Sequence, residues 1–151
     1  MAIRVHELGH IVLYVRNVIR SSEFYEKVLG WERLSSSADL PVALFSSGRT
    51  HHELLLIEVG EAAGRVRGGY RTGLYHFGLK VGDSDDELRE VARVLRKNGI
   101  EVAGATDHNV THSLYIEDPD GNEIELYIDV PGVDWRSNPG LIMAPPKPLE
   151  L

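Results

Sequence analysis

The sequence predicts an α+β fold of two tandem βαβββ modules whose sheets join into one cupped, mixed β-sheet, and three observations predict it. The order strand, helix, strand, strand, strand can be read twice along the 151 residues. The two first strands superpose with a histidine in the same place, Gly9-His10-Ile11-Val12-Leu13-Tyr14-Val15 over Tyr75-His76-Phe77-Gly78-Leu79-Lys80-Val81. The fourth strands superpose as well, Glu53-Leu54-Leu55-Leu56-Ile57 over Glu123-Ile124-Glu125-Leu126-Tyr127.

Each element follows from local chemistry. Residues 8–16 (LGHIVLYVR) are β-branched and aromatic with no breaker, which predicts a strand. Residues 21–29 space their apolar side chains helically and stop at Gly30, a helix with a C-terminal glycine. Strands are expected at 31–36, 42–46 and 51–59, separated by the turn formers Ser-Ser-Ser-Ala-Asp and Ser-Ser-Gly-Arg. Residues 60–73 hold five glycines in fourteen positions, which is linker composition.

After the linker the order begins again. Residues 76–81 read as a strand. Residues 83–99 open with capping acids and close with basic residues and Gly99, and they place Leu88, Val91, Val94 and Leu95 on one helical face. Strands follow at 101–105, 112–116 and 123–130, the last two joined by the tight-turn run Asp118-Pro119-Asp120-Gly121-Asn122. The expected organisation is one domain, residues 1–132, of two modules at about 7–60 and 74–130. Residues 133–151, with four prolines, form an irregular arm, left open between disorder, packing on a neighbour and lying across a site mouth.

Composition narrows the function classes. Sixteen basic against twenty-three acidic residues give a formal charge of −7, and the basic residues are scattered, which disfavours nucleic acid and anionic membrane partners. The absence of cysteine removes disulfides, thiolate nucleophiles and sulfur-ligated metals, so any metal must sit on nitrogen and oxygen. Residues 1–15 lack the layout of a secretory leader, and no apolar run approaches the ~20 residues of a membrane span. A soluble, cytoplasmic protein is the expectation.

The chemistry lies in the histidines, at 6, 10, 51, 52, 76, 108 and 112. All but His6 fall on or beside strands expected to line the cup. A single strand histidine is more often a hydrogen-bonded core or surface residue than a ligand. His10 and His76, however, are repeat-equivalent, and Glu125 stands on the partner strand among apolar residues. Two imidazoles and one carboxylate form a facial triad that leaves coordination positions open. Leu55 stands at the repeat equivalent of Glu125, so a symmetric four-ligand site is not expected. His51 and His52, as strand neighbours, are expected on opposite faces, with at most one in the cup.

These segments resemble the vicinal oxygen chelate superfamily, which holds glyoxalases, extradiol dioxygenases, epimerases and antibiotic-resistance proteins. The resemblance runs over about residues 7–130 and rests on Leu8-Gly9-His10-Ile11-Val12-Leu13, Phe24-Tyr25-Glu26-Lys27-Val28-Leu29-Gly30, Gly73-Leu74-Tyr75-His76-Phe77, and residues 118–127. Within it the chain is most similar to single-domain extradiol enzymes of the catechol 2,3-dioxygenase type. That likeness implies Fe(II), with Mn(II) as the alternative, on His10, His76 and Glu125. It implies His52 as acid–base group, His108 or His112 hydrogen-bonding a bound oxygen, and Tyr115 orienting a substrate hydroxyl. The implied substrates are a small aromatic diol and O₂, and a homodimer or higher homo-oligomer is the expected assembly. The chain departs from the two-domain catechol enzymes in a shorter spacing from His112 to Tyr115 and a longer loop between His52 and His76. The alternatives are a glyoxalase-type isomerase, which would place an acid where Leu55 stands, and a binding or resistance protein that keeps the fold without the chemistry.

Overall fold

A computed structural model describes residues 2–36, 40–66, 69, 70 and 72–151. Residues 37–39 of the expected serine-rich turn and residues 67, 68 and 71 of the glycine-rich linker lie outside this set. The chain divides into two compact units, Met1–Arg65 and Val66–Leu151, with the boundary inside the expected linker.

The first unit is β1 (Ile11–Val15), α1 (Val18–Lys27), β2 (Glu32–Ser36), β3 (Val42–Ser46) and β4 (Leu54–Glu58). Its sheet runs β1-β4-β3-β2, with β1 and β4 parallel and the other pairs antiparallel. Asn17 caps α1, its side-chain oxygen accepting from Arg20 N at 2.9 Å, while Glu58 Oε2 accepts from Val18 N at 2.8 Å. Strand alternation sends Leu13 and Val15 inward with Leu54, Leu56 and Phe45, where they join Phe24 and Tyr25 of the helix in the buried core.

The second unit repeats the plan with β5 (His76–Gly82), α2 (Asp85–Lys97), β6 (Gly104–Asp107), β7 (Thr111–Glu117) and β8 (Glu123–Asp129). Its sheet runs β5-β8-β7-β6-β9, where β9 is Lys147–Pro148. Ser84 and Glu87 form a reciprocal cap on α2. Ser84 Oγ accepts from Glu87 N, and Glu87 Oε2 accepts from Asp83 N and from Ser84 Oγ, both at 2.8 Å. Gly99 ends the helix with φ +69°, a conformation that glycine adopts without a Cβ penalty. Leu88 and Leu95 of α2 are buried with Phe77, Leu114, Ile116, Ile124, Leu126 and Ile128. One face of the second sheet is therefore covered by the helix.

Several boundaries differ from the sequence expectation, α1 beginning at Val18 rather than at residue 21 and β6 at Gly104 rather than at residue 101, and for two others the physical reason is direct. β1 starts at Ile11 and β4 at Leu54 because these residues are each other's first parallel partners, so the ladder begins where both strands are present. His10, His51 and His52 consequently precede the strands. The tail is not wholly irregular, since residues 139–141 make a 3₁₀ turn and β9 pairs antiparallel with the outer edge of β6. Pro148 is tolerated there because an edge strand need not donate on its outer side. Among the described residues no helix is long and apolar enough to cross a membrane.

Candidate functional site

The repeat seen in the sequence is reproduced strand by strand. Ile11 pairs with Leu54 and Val12 with Leu55, while Phe77 pairs with Ile124 and Gly78 with Glu125. Leu55 therefore occupies the register position of Glu125, and His10 precedes its strand where His76 begins its own.

In the second unit, pairing and alternation put His76, Gly78, Glu123, Glu125, Ser113 and Tyr115 on the sheet face opposite α2. Their side chains converge. His76 Nε2 lies 3.3 Å from Glu125 Oε2, and His76 Nδ1 lies 3.3 Å from Glu123 Oε1. Ser113 Oγ donates to Glu125 Oε1 at 2.6 Å, and the Tyr115 hydroxyl reaches the same oxygen at 3.4 Å. His108 Nε2 lies 2.7 Å from the Tyr115 hydroxyl. When that hydroxyl donates to Glu125, the imidazole N–H of His108 donates to the phenolic oxygen. Burial first, then the Glu125 charge and hydrogen bond, push the Tyr115 phenol up to about 12.

Two turns hold this arrangement. Between β7 and β8, Asp118 Oδ1 accepts from Asp120 N and Asn122 N, both at 2.9 Å, and Oδ2 accepts from Asn122 Nδ2 at 2.8 Å. That loop fixes the hairpin register which places Glu125 opposite Tyr115. Between β6 and β7, Asn109 takes φ +67°, and its backbone N–H donates to Asp107 Oδ1 at 2.6 Å, setting His108 at the strand end.

His112 lies elsewhere. It pairs with Ile128 on the helix-covered face, and its Nδ1 stands 2.6 Å from Asp85 Oδ1 in the first turn of α2, with Asp107 Oδ1 3.7 Å from Nε2. His112 thus leaves the sheet on the face opposite to Tyr115, because it stands three positions, an odd number, from Tyr115 along β7.

In the first unit, His10, His51 and His52 gather beside the start of β1 and β4. The His10 and His52 rings stand 4.7 Å apart, and the His51 and His52 rings 4.5 Å, with their Nδ1 atoms at 2.6 Å. The expectation that His51 and His52 face opposite ways is overturned. They belong to the turn before β4, where strand alternation does not apply. Desolvation first, then the His51 and His10 imidazoles, lower the His52 pKa below its ordinary value.

Sequence reasoning missed Glu123 and Ser113. Alternation was the available signal, since each stands two residues from a predicted site residue on the same strand, Glu125 and Tyr115 respectively. Among the described residues no three imidazole or carboxylate groups form a ready metal cluster. The donor set nevertheless fits a hard or borderline cation. His76 Nε2 and Glu125 Oε2 already converge, and His76 Nδ1 is shielded from solvent without a hydrogen-bond partner.

The chain matches a family model along residues 7–126, that of the Glyoxalase/Bleomycin resistance protein/Dioxygenase superfamily. The chain belongs to this superfamily. It is 35% identical over 135 residues to the catechol-2,3-dioxygenase of Bacillus subtilis (strain 168), a match covering 87% of this chain and 46% of that protein. The chain thus spans about half the length of that relative. It is 32% identical over 126 residues to the lactoylglutathione lyase of Escherichia coli O157:H7, covering 79% of this chain and 90% of that protein. Among solved structures it is similar to a glyoxalase/dioxygenase from Nostoc punctiforme, with a TM-score of 0.68, 25% identity and coverage of 82% of this chain and 90% of that one. The superfamily's paired βαβββ plan accounts for the shared sheet order and parallel register of the two units.

Proposed function

We propose that this chain is an Fe(II)-dependent extradiol dioxygenase, which cleaves the ring of a catechol-type diol beside its two hydroxyls and places both atoms of O₂ in the product. The observation that carries the reading is the His76–Glu125 pair on the open face of the second sheet, with His10 at the equivalent register in the first unit and apolar Leu55 where a second acid would stand. The ligand set is then His10, His76 and Glu125. Iron, when bound, supplies a Lewis acid for both diol oxygens and a redox partner for O₂, and Mn(II) could take its place on the same donors.

The remaining work falls to side chains of the chain itself. His52, kept neutral near pH 7 by its lowered pKa, accepts a proton from a diol hydroxyl and returns it to the opened product. Tyr115 keeps its proton across the working pH range and presents a neutral donor to a diol oxygen. Of the two histidines proposed for the oxygen, the Tyr115 contact favours His108. Ser113 holds one oxygen of Glu125 and leaves the other beside His76. A homodimer or higher homo-oligomer acting on small aromatic diols completes the proposal.

A second reading, a glyoxalase-type isomerase, has one observation in its favour. The chain covers most of the lactoylglutathione lyase relative but under half of the dioxygenase relative. Leu55 counts against it, because the symmetric acid is missing. Turnover under ¹⁸O₂ separates the two, since ring cleavage puts both labelled atoms into the product and isomerisation puts in none.

A further inference from the structure

We propose that Glu123 is a positioning residue for His76, accepting a hydrogen bond from Nδ1–H and so fixing the imidazole as the tautomer whose Nε2 lone pair is presented beside Glu125. The proposal rests on the ligand reading above and extends it to a residue outside the ligand set.

His76 and Glu123 are direct partners across the parallel β5–β8 pair, so their side chains leave the sheet on one face. His76 Nδ1 and Glu123 Oε1 face each other at 3.3 Å. Both atoms are shielded from solvent, and neither has a partner of strict hydrogen-bond geometry. A buried donor and a buried acceptor left unpaired are both unfavourable, and a shift of a few tenths of an ångström joins them. The Glu123 charge raises the Tyr75 phenol above its ordinary pKa, and the Tyr75 ring lies 4.7 Å from the His76 ring.

The other repeat shows that this is not a general consequence of the fold. Glu53 stands at the equivalent position, one residue before Leu54, but its carboxylate is occupied elsewhere. It accepts from Ser47 N and Ser47 Oγ, each at 2.6 Å, from Ser46 Oγ at 3.1 Å and from Arg49 Nε at 3.2 Å. His10 packs on His52 instead. Of the two repeat-equivalent histidines, His76 rather than His10 has a carboxylate beside one ring nitrogen and a candidate co-ligand at the other. A carboxylate on the far nitrogen orients a metal-binding imidazole and raises its basicity, and its loss commonly weakens metal affinity 10- to 100-fold.

The test uses metal alone, without turnover. Fe(II) affinity is measured anaerobically for the full chain and for Glu123→Leu and Glu123→Gln. The tautomer of ¹⁵N-labelled His76 is read by NMR in the metal-free and Zn(II)-loaded forms. The expected result is Nδ1–H in the wild type, loss of that tautomeric preference in Glu123→Leu with affinity falling at least tenfold, and partial recovery in Glu123→Gln, whose amide oxygen still accepts. Unchanged affinity and tautomer in Glu123→Leu overturn the proposal while leaving the ligands in place. Weakened affinity with an unchanged tautomer and no recovery in Glu123→Gln also overturns it, as a packing effect. A wild type that binds neither metal overturns the ligand reading beneath it.

Discussion

Gly78 stands directly opposite Glu125 in the parallel pair of the second sheet, and a Cβ at Gly78 would come within 3.5 Å of Glu125 Oε2 and 3.2 Å of Tyr127 Cε1. The equivalent pair in the first unit is Val12 and Leu55. A glycine thus leaves the carboxylate the room that a valine would take. Gly78→Val is expected to displace Glu125 and lower Fe(II) affinity at least tenfold, as measured by anaerobic titration, while circular dichroism shows the sheet retained. Wild-type affinity in the variant would mean that Glu125 needs no such space.

Ser113 is buried, and its hydroxyl fixes one Glu125 oxygen. Ser113→Ala removes that donor with little change of volume. A loss of about 1 kcal/mol in stability is expected from the lost hydrogen bond. The reorientation of Glu125 is expected to lower kcat/KM about tenfold, which corresponds to about 1.4 kcal/mol of transition-state stabilisation. Denaturant titration and steady-state kinetics check the two parts separately.

His112 supplies the opposite expectation. Its contacts with Asp85 and Asp107 pin the start of α2 to β6 and β7 on the covered face, away from Glu125. His112→Ala is expected to cost about 1–3 kcal/mol of stability and to leave kcat within about twofold of wild type. His108→Ala is expected to do the reverse. A His112 variant that folds normally but has lost turnover would contradict the placement.

Tyr115 gives a pH prediction with a defined sign. Its folded-state pKa is pushed up to about 12, whereas an exposed phenol ionises near 10. The folded chain therefore retains a proton that the unfolded chain gives up. The associated stability is full below about pH 10 and is lost as the pH rises through about 12. Tyrosinate absorbance of the metal-free protein, compared with Tyr115→Phe, should show the missing tyrosine titrating well above 10. A difference curve centred at 10 would contradict the burial of this phenol.

Much of this architecture was legible in the sequence because both layers of the repeat leave periodic traces. The helix spacing of Leu88 and Leu95 and the alternation in β8 are one-dimensional records of a buried face. The registry of His10 with His76 and of Leu55 with Glu125 was legible too, since an alignment of two copies is an alignment of two ladders. Less legible were features set by turns. His51 and His52 were read as strand residues, but Glu53 gathers Ser46, Ser47 and Arg49 into a turn that takes both histidines out of the ladder. The face of His112 could have been deduced by counting from Tyr115, whereas its partner Asp85, 27 residues away, could not. The pairing of β9 with β6 is likewise a long-range contact that no local pattern announces.

The most direct measurement of the central claim is oxygen uptake by the anaerobically reconstituted Fe(II) protein, recorded with visible absorbance on catechol, alkylcatechols, 2,3-dihydroxybiphenyl and homoprotocatechuate. Stoichiometric O₂ consumption with a yellow ring-opened product on at least one of these, abolished in Glu125→Ala and His10→Ala, is the predicted result. Full iron occupancy with no oxygen consumed on any of them would contradict it.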